Sequence, residues 1–383
     1  MRIAMFSDSY KPQINGVVTQ IENISLELGK KGNDFLIVAP SPSRKTIRKK
    51  EGKRTIFLLP SIALPTYRDY RITWIYSKEL SSELESFRPD IIHVHTPFSV
   101  GILGKDYGKR NKIPVIGTYH THIPDFLMYL PIPILNKTSL ARDLAWAYAR
   151  AFYNSCDFRT APTKSAKEEL ENNGIAEVEV LPNAINFRLF NKEAGKEHGA
   201  FKRAKLIYFG RIGFEKNIEV LIGALKAVLC TGMDAELAIT GSGPASKMLK
   251  KLAKKEGVGK KVSFHLPLKG RELAKHVAGH DIFVTASTIE TQGLTIAEAM
   301  AAGLPCIGAD ARAIPNAIRD GENGYLFRPF DENQLAEKIA LLVKSPPLRE
   351  KLGKNAVETA REFSIDKVAA TTEKLYKRVI SSP

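Results

Sequence analysis

The sequence predicts an α/β protein built from two doubly wound, Rossmann-like domains, each on its own parallel sheet. Three observations carry this. Short, nearly continuous apolar runs alternate with segments of helical period, as expected for strands buried on both faces and joined by crossover helices. The alternation restarts past the middle of the chain. A length of 383 residues also exceeds what one ordinary hydrophobic core holds.

In the first half the predicted strands are Ile3-Phe6, Phe35-Ala39, Ile56-Leu59, Ile91-His95, Val115-Thr118 and Val178-Leu181. The second half begins again with Leu206-Phe209, Leu237-Thr240, Val262-Leu266, Ile282-Thr285 and Cys306-Gly308. Between the two sets, residues 186–205 are polar, with Gly, Lys and Glu and little periodicity, and are read as a linker. The expected division is residues 1–185, the linker, residues 206–364, and a last helix over 365–383 that packs back on the first domain. No internal repeat argues for a solenoid.

A hydrophobic fraction of 44% with 26% charged residues is that of a folded globular chain, not a disordered one. Cys156, Cys230 and Cys306 show no metal-like spacing and read as buried free thiols in a reducing compartment. The apolar run Ile3-Phe6 is too short for a signal peptide, and no stretch approaches the ~20 apolar residues of a membrane span. A cytoplasmic location is expected, with peripheral association at the cytoplasmic membrane face as an extension. The net charge is +16, and Arg44, Lys45, Arg48, Lys49, Lys50, Lys53 and Arg54 crowd one predicted loop opposed only by Glu51. Such a patch either attracts a polyanion or anionic lipid, more strongly at low salt, or is a solvated loop of a basic protein. Nucleic acid is not expected, since no stacking aromatics are interleaved with the charges and no zinc, helix-turn-helix or RNA-binding signature is present.

The most informative stretch runs from Glu290 to Pro305, where two carboxylates, Glu290 and Glu298, flank Gly293, Leu294 and Thr295. It follows the apolar run Ile282-Ala286 and opens a short helix near Leu294, stopped by Gly303 and Pro305. Both acids then lie near the carboxyl end of a strand, where open α/β sheets bind ligands. Ionised carboxylates there suit sugar diols, which offer paired donors; the alternative is acids favoured by a helix dipole. Asn15-Gly16 stands between the first strand and a helix, either an anion-binding helix N-terminus or a plain tight turn. At the start of the second half, Gly210-Arg211 and Glu215-Lys216 join a strand to a helix that carries Ile218, Leu221, Ile222 and Leu225 on one face. Arg211 and Lys216 would converge above the strand end, suiting a diphosphate and the charge that grows as a nucleoside diphosphate departs. Gly241-Ser-Gly243-Pro244 adds another loop on that edge.

Taken together, these motifs resemble the family 4 retaining glycosyltransferases of GT-B fold, two Rossmann-like domains facing a central cleft. The resemblance covers nearly the whole chain and is loosely nearest the diacylglycerol glucosyltransferase subgroup. It implies that Glu298 binds the nucleotide ribose, Glu290 contacts the donor sugar, and Arg211 and Lys216 hold the diphosphate with backbone N–H groups around Gly293 and Leu294. His120, in Gly117-Thr-Tyr-His120-Thr, matches a histidine placed beside the donor sugar. The sequence departs from the family pattern at Asn217, where glycine is common, and at Thr291-Gln292, where Ser-Phe is common.

No further carboxylate offers itself as a nucleophile. Attack on the same face as the departing phosphate, through an oxocarbenium-like transition state, is the mechanism left open, with the phosphate taking the acceptor's proton. His93, His95 and His122 near His120 raise a metal cluster as an alternative, but no metal or cofactor is expected, and the chain has no Asp-x-Asp. After His120 an apolar, proline-broken loop, 123–135, is followed by a helix with Arg142, Trp146, Tyr148 and Arg150. Phe126, Tyr129 and Trp146, with Arg44, Lys49 and Lys50, either serve a lipid acceptor and membrane surface or are packing residues. The leading expectation is hexose transfer from UDP-glucose to a membrane lipid such as diacylglycerol. A GDP-mannose-dependent mannosyltransferase, a sugar-nucleotide epimerase of the same fold, and a non-catalytic binder of anionic lipid or nucleic acid are the alternatives.

Overall fold

A computed structural model describes residues 1–13, 15–63, 71–73, 77–126, 138–193 and 203–382, with the side chains of residues 125 and 126 excepted. Phe126 as a side chain and the whole of Tyr129 therefore lie outside the described residues. The chain divides into two compact units, Met1–Ala184 with Ile365–Pro383, and Ile185–Ser364.

The first unit contains β1 (Arg2–Phe6), β2 (Asp34–Pro40), β3 (Ile47–Glu51), β4 (Arg54–Leu59), β5 (Ile62–Ala63), β6 (Arg71–Ile72), β7 (Ile91–Val94), β8 (Val115–Thr118), β9 (Phe158–Ala161) and β10 (Val178–Val180). Eight of them form one sheet in the order β10-β9-β8-β7-β1-β2-β4-β3, while β5 and β6 pair separately. All neighbours in the large sheet run parallel except the edge pair β3 and β4. Ile3, Met5, Phe35 and Ile37 face one core and Ala4, Phe6, Leu36 and Val38 the other, which is why these strands read as unbroken apolar runs. The helix Ile365–Ser381 buries Val368, Thr372, Leu375, Tyr376 and Val379, one stripe at helical spacing, and shares a core with Val17, Ile21 and Leu28 of the helix Gly16–Lys30.

The structure corrects four expectations, three of them in this unit. The basic residues at 44–54 are not a loop: most form the β3–β4 hairpin at the sheet edge. Nor is Glu51 their only counterion. Arg48 pairs with Glu83, Lys53 with Asp34, and Arg54, which is buried, with both Glu22 and Glu51. Sequence-local counting missed these partners because they arrive from other elements. Lys49 pairs with Glu51, leaving Arg44, Lys45 and Lys50 as its exposed cations with no ion pair among the described residues. Trp146, read as a candidate membrane contact, is instead 5% exposed in the core and meets the His122 ring edge-on. The fourth concerns the three thiols: Cys156 here and Cys306 in the second unit are buried, but Cys230, at the end of a helix of the second unit, is exposed.

The second unit holds β11 (Ala204–Phe209), β12 (Ala235–Thr240), β13 (Val262–His265), β14 (Ile282–Thr285), β15 (Cys306–Ala309) and β16 (Gly324–Phe327), all parallel, in the order β13-β12-β11-β14-β15-β16. Counted from its first strand this is the order 3-2-1-4-5-6 of the doubly wound dinucleotide-binding sheet. The segment Phe187–Glu193, within the polar stretch read as linker, is a helix whose Phe187 and Phe190 are buried in this unit's core. Two phenylalanines three residues apart were the signal for it.

Candidate functional site

In an open parallel sheet the winding direction reverses between the first strand and its crossover neighbour, and the loops leaving those two strands splay apart to form a crevice. In the second unit that point lies between β11 and β14. The loops leaving these strands carry Gly210 to Asn217 and Ser287 to Gly293.

After β11 the chain passes Gly210 and Arg211, makes one 3-10 turn over Phe214–Lys216, and starts the helix Ile218–Cys230. Asn217 sits in the left-handed backbone region, φ 49° and ψ 41°. Glycine adopts this conformation freely and asparagine is among the residues that tolerate it best, so the departure at this position preserves the turn. Asparagine also adds a tie that glycine lacks, since its Nδ2 donates to the Ala286 carbonyl at 3.1 Å and joins the two loops.

Arg211 and Lys216 are both engaged by carboxylates. Arg211 Nη2 lies 2.6 Å from Glu215 Oε1, and Lys216 Nζ lies 2.6 Å from Glu290 Oε1 and 3.5 Å from Ser287 Oγ. Burial opposes ionisation of Glu290, but the Lys216 ammonium, with hydrogen bonds from Lys216 and Ser287, outweighs it and holds the carboxyl below its usual range. Ser287 is a residue here that sequence reasoning did not single out, while Glu215 was named there only beside Lys216 and not as the partner of Arg211. Only their contacts, Glu215 with Arg211 and Ser287 with Lys216, show their part.

Glu298 is different. It lies in the helix Leu294–Ala301, capped at its start by Gly293, and its carboxylate has no hydrogen-bond or ion-pair partner among the described residues. Burial without compensation pushes its pKa up to about 8. Gly293 has φ +78°, and a Cβ there would stand 2.8 Å from the Ile296 side chain; the bare backbone leaves the first-turn N–H groups of the helix open to an acceptor. Leu294 and Thr295 supply two of those groups, and Thr295 Cγ2 lies near Gly210.

Gly241, after β12, closes the other side of the β11 loop. Its φ is +149°, and a Cβ would fall 1.8 Å from the Gly210 carbonyl oxygen. Gly241→Ala is therefore expected to displace the Gly210–Arg211 turn and to cost about 3 kcal/mol of stability. A denaturant midpoint unchanged from wild type would show that the close approach is not required.

The first unit has its own reversal, between β1 and β7. The β1 loop carries Asp8 and Asn15; the β7 loop carries His95, Thr96 and Ser99. Asp8 is buried and accepts from Thr96 Oγ1 at 2.7 Å, Ser99 Oγ at 2.6 Å and Val100 N at 2.8 Å. Burial raises its pKa despite these bonds. The carboxylate thereby ties the β1 loop to the start of the helix Ser99–Asn111. Asn15 caps the helix Gly16–Lys30, its side-chain oxygen accepting from Val18 N at 3.0 Å and its Nδ2 donating to Ser9 Oγ at 2.6 Å. Gly16 is the first residue of that helix.

His120, just past β8, is partly buried and lies with its Nε2 3.0 Å from His95 Nδ1. Burial lowers its pKa to about 3, so it is neutral at physiological pH. His93 bonds Tyr376 Oη and Thr118 Oγ1, and His122 turns to Glu169 at 2.8 Å. His95 and His120 thus pair with each other, while His93 and His122 turn to other groups. Among the described residues no three His, Cys, Asp or Glu side chains are grouped to hold a metal ion. No helix among them is long and apolar enough to cross a membrane.

The sequence pattern of Glycosyltransferase Family 4 matches residues 14–189, and that of Glycosyl transferases group 1 matches residues 191–359. The alpha-monoglucosyldiacylglycerol synthase of Streptococcus pneumoniae is 31% identical over 362 residues, covering 91% of this chain and 80% of that one. The protein of the same name from Acholeplasma laidlawii is 28% identical over 397 residues, covering 99% and 98%. A GDP-mannose-dependent alpha-mannosyltransferase of Corynebacterium glutamicum is 28% identical over 342 residues, covering 86% and 78%. Among solved structures, sucrose-phosphate synthase from Thermosynechococcus elongatus superposes with a TM-score of 0.79 at 17% identity over 100% of both chains. The Anabaena protein HepE, crystallised with UDP and glucose, gives 0.74 at 16% identity over 99% of this chain and 100% of that one. At such identities the structural likeness speaks for the fold, which is GT-B; with the sequence relatives, it establishes that the chain belongs to the group 1 and family 4 glycosyltransferases.

Proposed function

We propose that this glycosyltransferase moves glucose from UDP-glucose to diacylglycerol, with retention of anomeric configuration and without a metal. The observation that carries the reading is the pair of glutamates on one strand-loop-helix at the β11–β14 reversal, one held by Lys216 and the other left without a partner. In this assignment Glu298 takes the ribose diol, for which an unpartnered carboxylate offers two acceptors. Glu290 takes hydroxyls of the transferred sugar. Lys216 and Arg211 exchange part of their carboxylate contacts for the diphosphate, whose negative charge replaces what they give up. The N–H groups at Gly293 and Leu294 complete the anion site. His120 is assigned by the same resemblance to the transferred sugar.

In the transfer step the acceptor hydroxyl oxygen bonds to the anomeric carbon as the bond from that carbon to the β-phosphate oxygen breaks. The acceptor's proton passes to the departing phosphate oxygen, on the same face. Both residues that neutralise phosphate sit on the β11 loop, so the charge that develops on the leaving group meets cations already in place. Support for glucose and diacylglycerol comes from the two relatives named for that product. A second reading, transfer of mannose from GDP-mannose, is favoured by the mannosyltransferase relative. Incubation with UDP- and GDP-sugars, with and without diacylglycerol, separates them by the nucleoside diphosphate released and the mass of the glycolipid formed. Release of GDP with a mannosyl lipid would replace the first reading by the second.

A lipid acceptor brings the enzyme to a membrane surface, and the helix Ser246–Lys255 offers a face for it. Lys247, Lys250, Lys251 and Lys254, spaced for one helical stripe, are exposed and have no ion-pair partner among the described residues. Met248 beside them is 41% exposed. Vesicles containing anionic phospholipid are expected to sediment the protein at low salt and to release it as salt rises. Combined Lys247→Glu and Lys251→Glu substitution is expected to reduce that binding about tenfold. Binding that is equal on neutral and anionic vesicles would remove this face from the reading.

A further inference from the structure

Arg211 is fixed at both ends. Gly210 N donates to the Thr240 carbonyl at 3.0 Å and Ile212 N to the Ser242 carbonyl at 2.8 Å, so the pairing of β11 with β12 continues past the strands on either side of Arg211. The phenol of Tyr208, a residue 3% exposed, donates to the Arg211 carbonyl at 2.8 Å. The donor in that bond is the phenol, because a carbonyl only accepts. Burial, with Glu290 and Glu215 nearby, raises the phenol's pKa and keeps its proton on. At the other end, Arg211 Nη2 meets Glu215 Oε1 at 2.6 Å, the Glu215 side chain being 6% exposed and that of Arg211 30%.

Glu215 reaches Arg211 by folding back over Gly213. The backbone of Gly213, φ −92° and ψ 160°, is extended and open to any residue. Glycine is needed there for room and not for conformation: a Cβ would stand 2.2 Å from Glu215 Oε1 and 2.3 Å from Oε2. Stability alone does not account for the arrangement, since a carboxylate withdrawn from water regains little from a partner that is itself partly solvated. Orientation does. A guanidinium carries five N–H donors in a rigid fork. With Nη2 engaged by Glu215 the rest of the fork is held in one orientation, and its rotamer freedom is lost on folding instead of on binding. The partner of Lys216, Glu290, is assigned to the transferred sugar, whereas Glu215 has no ligand contact in that assignment. We propose that Glu215, seated over Gly213, is a positioning residue that orients the Arg211 guanidinium for the donor's diphosphate. The proposal rests on the glycosyltransfer reading above.

The test is titration of the full-length protein with UDP and GDP, and with uridine and guanosine, followed by ligand-observed NMR so that weak nucleoside binding is also read. Gly213→Ala and Glu215→Asp keep every charge but break the contact, the first by filling the carboxylate's place and the second by shortening its reach. Both are expected to bind the nucleoside diphosphate about fivefold more weakly than wild type, the scale of immobilising one long side chain on binding, and its nucleoside within about twofold. Glu215→Gln keeps the length and one acceptor oxygen and is expected to hold the diphosphate as well as wild type or better. Retained nucleoside affinity shows that the crevice is intact in each variant, and should one charge-keeping variant fail to fold, the other makes the same comparison. Diphosphate affinity unchanged in both, or nucleoside affinity lost in step with it, would overturn the proposal. If wild type bound neither diphosphate, the glycosyltransfer reading would fall and this proposal with it. If wild type bound one and the variants bound it equally, only the proposal would fall.

Discussion

Glu290→Gln is expected to lower kcat/KM for UDP-glucose about 10²-fold, the scale of losing charged hydrogen bonds to a transferred group inside a desolvated site, while affinity for UDP is kept or improved. The asymmetry follows from the Lys216 contact. Lys216 Nζ is 2.6 Å from Glu290 Oε1, and in the variant its ammonium has no competing carboxylate, so it turns wholly to the diphosphate. On the proposed reading, the same change replaces the ionised acceptor for the sugar hydroxyls with a neutral amide that keeps one acceptor oxygen. Steady-state kinetics and calorimetric titration with UDP check the two halves separately. Equal weakening of UDP and UDP-glucose would mean that Glu290 serves the nucleotide and not the sugar.

Glu298→Gln is expected to stabilise the protein while Glu298→Ala weakens nucleotide binding. Burial raises the Glu298 pKa to about 8, whereas an unfolded glutamate titrates near ~4.3. The folded state therefore holds the proton more tightly. The benefit of that proton is fully present below the unfolded pKa and is lost as pH rises through the folded one. Removing the titration should raise stability by ~2 kcal/mol at pH 9, allowing for the partial solvent contact of the side chain, and by little below pH 4. Thermal unfolding of the two proteins across that range measures it. For binding, the loss of two hydrogen bonds to an ionised acceptor should cost about 10- to 100-fold in nucleotide affinity. Because the diol favours the ionised form, UDP-glucose should bind more tightly as pH rises from 6.5 to 8.5 and should expel a proton at pH 7. A flat affinity profile would place Glu298 away from the ligand.

Much of this was legible in the chain because a doubly wound sheet writes itself plainly. Strands such as Ile282–Thr285 and Val115–Thr118, apolar on both faces, were read with their ends in place, and the helix Leu294–Ala301 followed from the Gly303 and Pro305 beyond its end. Strands at edges were not legible in that way. Ile47–Glu51 carries Arg48, Lys49 and Lys50 because an edge strand has no neighbour to bury it on one side, and such a segment reads as a basic loop. Phe158–Ala161 was hidden by Arg159 and Thr160, and Gly324–Phe327 by its opening glycine and the incomplete burial of Tyr325 and Leu326. That Glu290 and Glu298 fall on one strand-loop-helix was visible from spacing. The partners were not: Lys216 with Glu290, Arg48 with Glu83 and His95 with His120 join residues from 25 to 74 positions apart, and no local pattern records such a meeting.

The division of labour between the two glutamates is tested most directly by titrating UDP and UDP-glucose, in parallel, into wild type, Glu298→Ala and Glu290→Gln. Glu298→Ala is predicted to weaken both ligands by the same factor, because both carry the ribose. Glu290→Gln is predicted to abolish whatever advantage UDP-glucose has over UDP and to leave UDP itself bound. Unchanged UDP affinity in Glu298→Ala, or an undiminished preference for UDP-glucose in Glu290→Gln, would contradict the assignment.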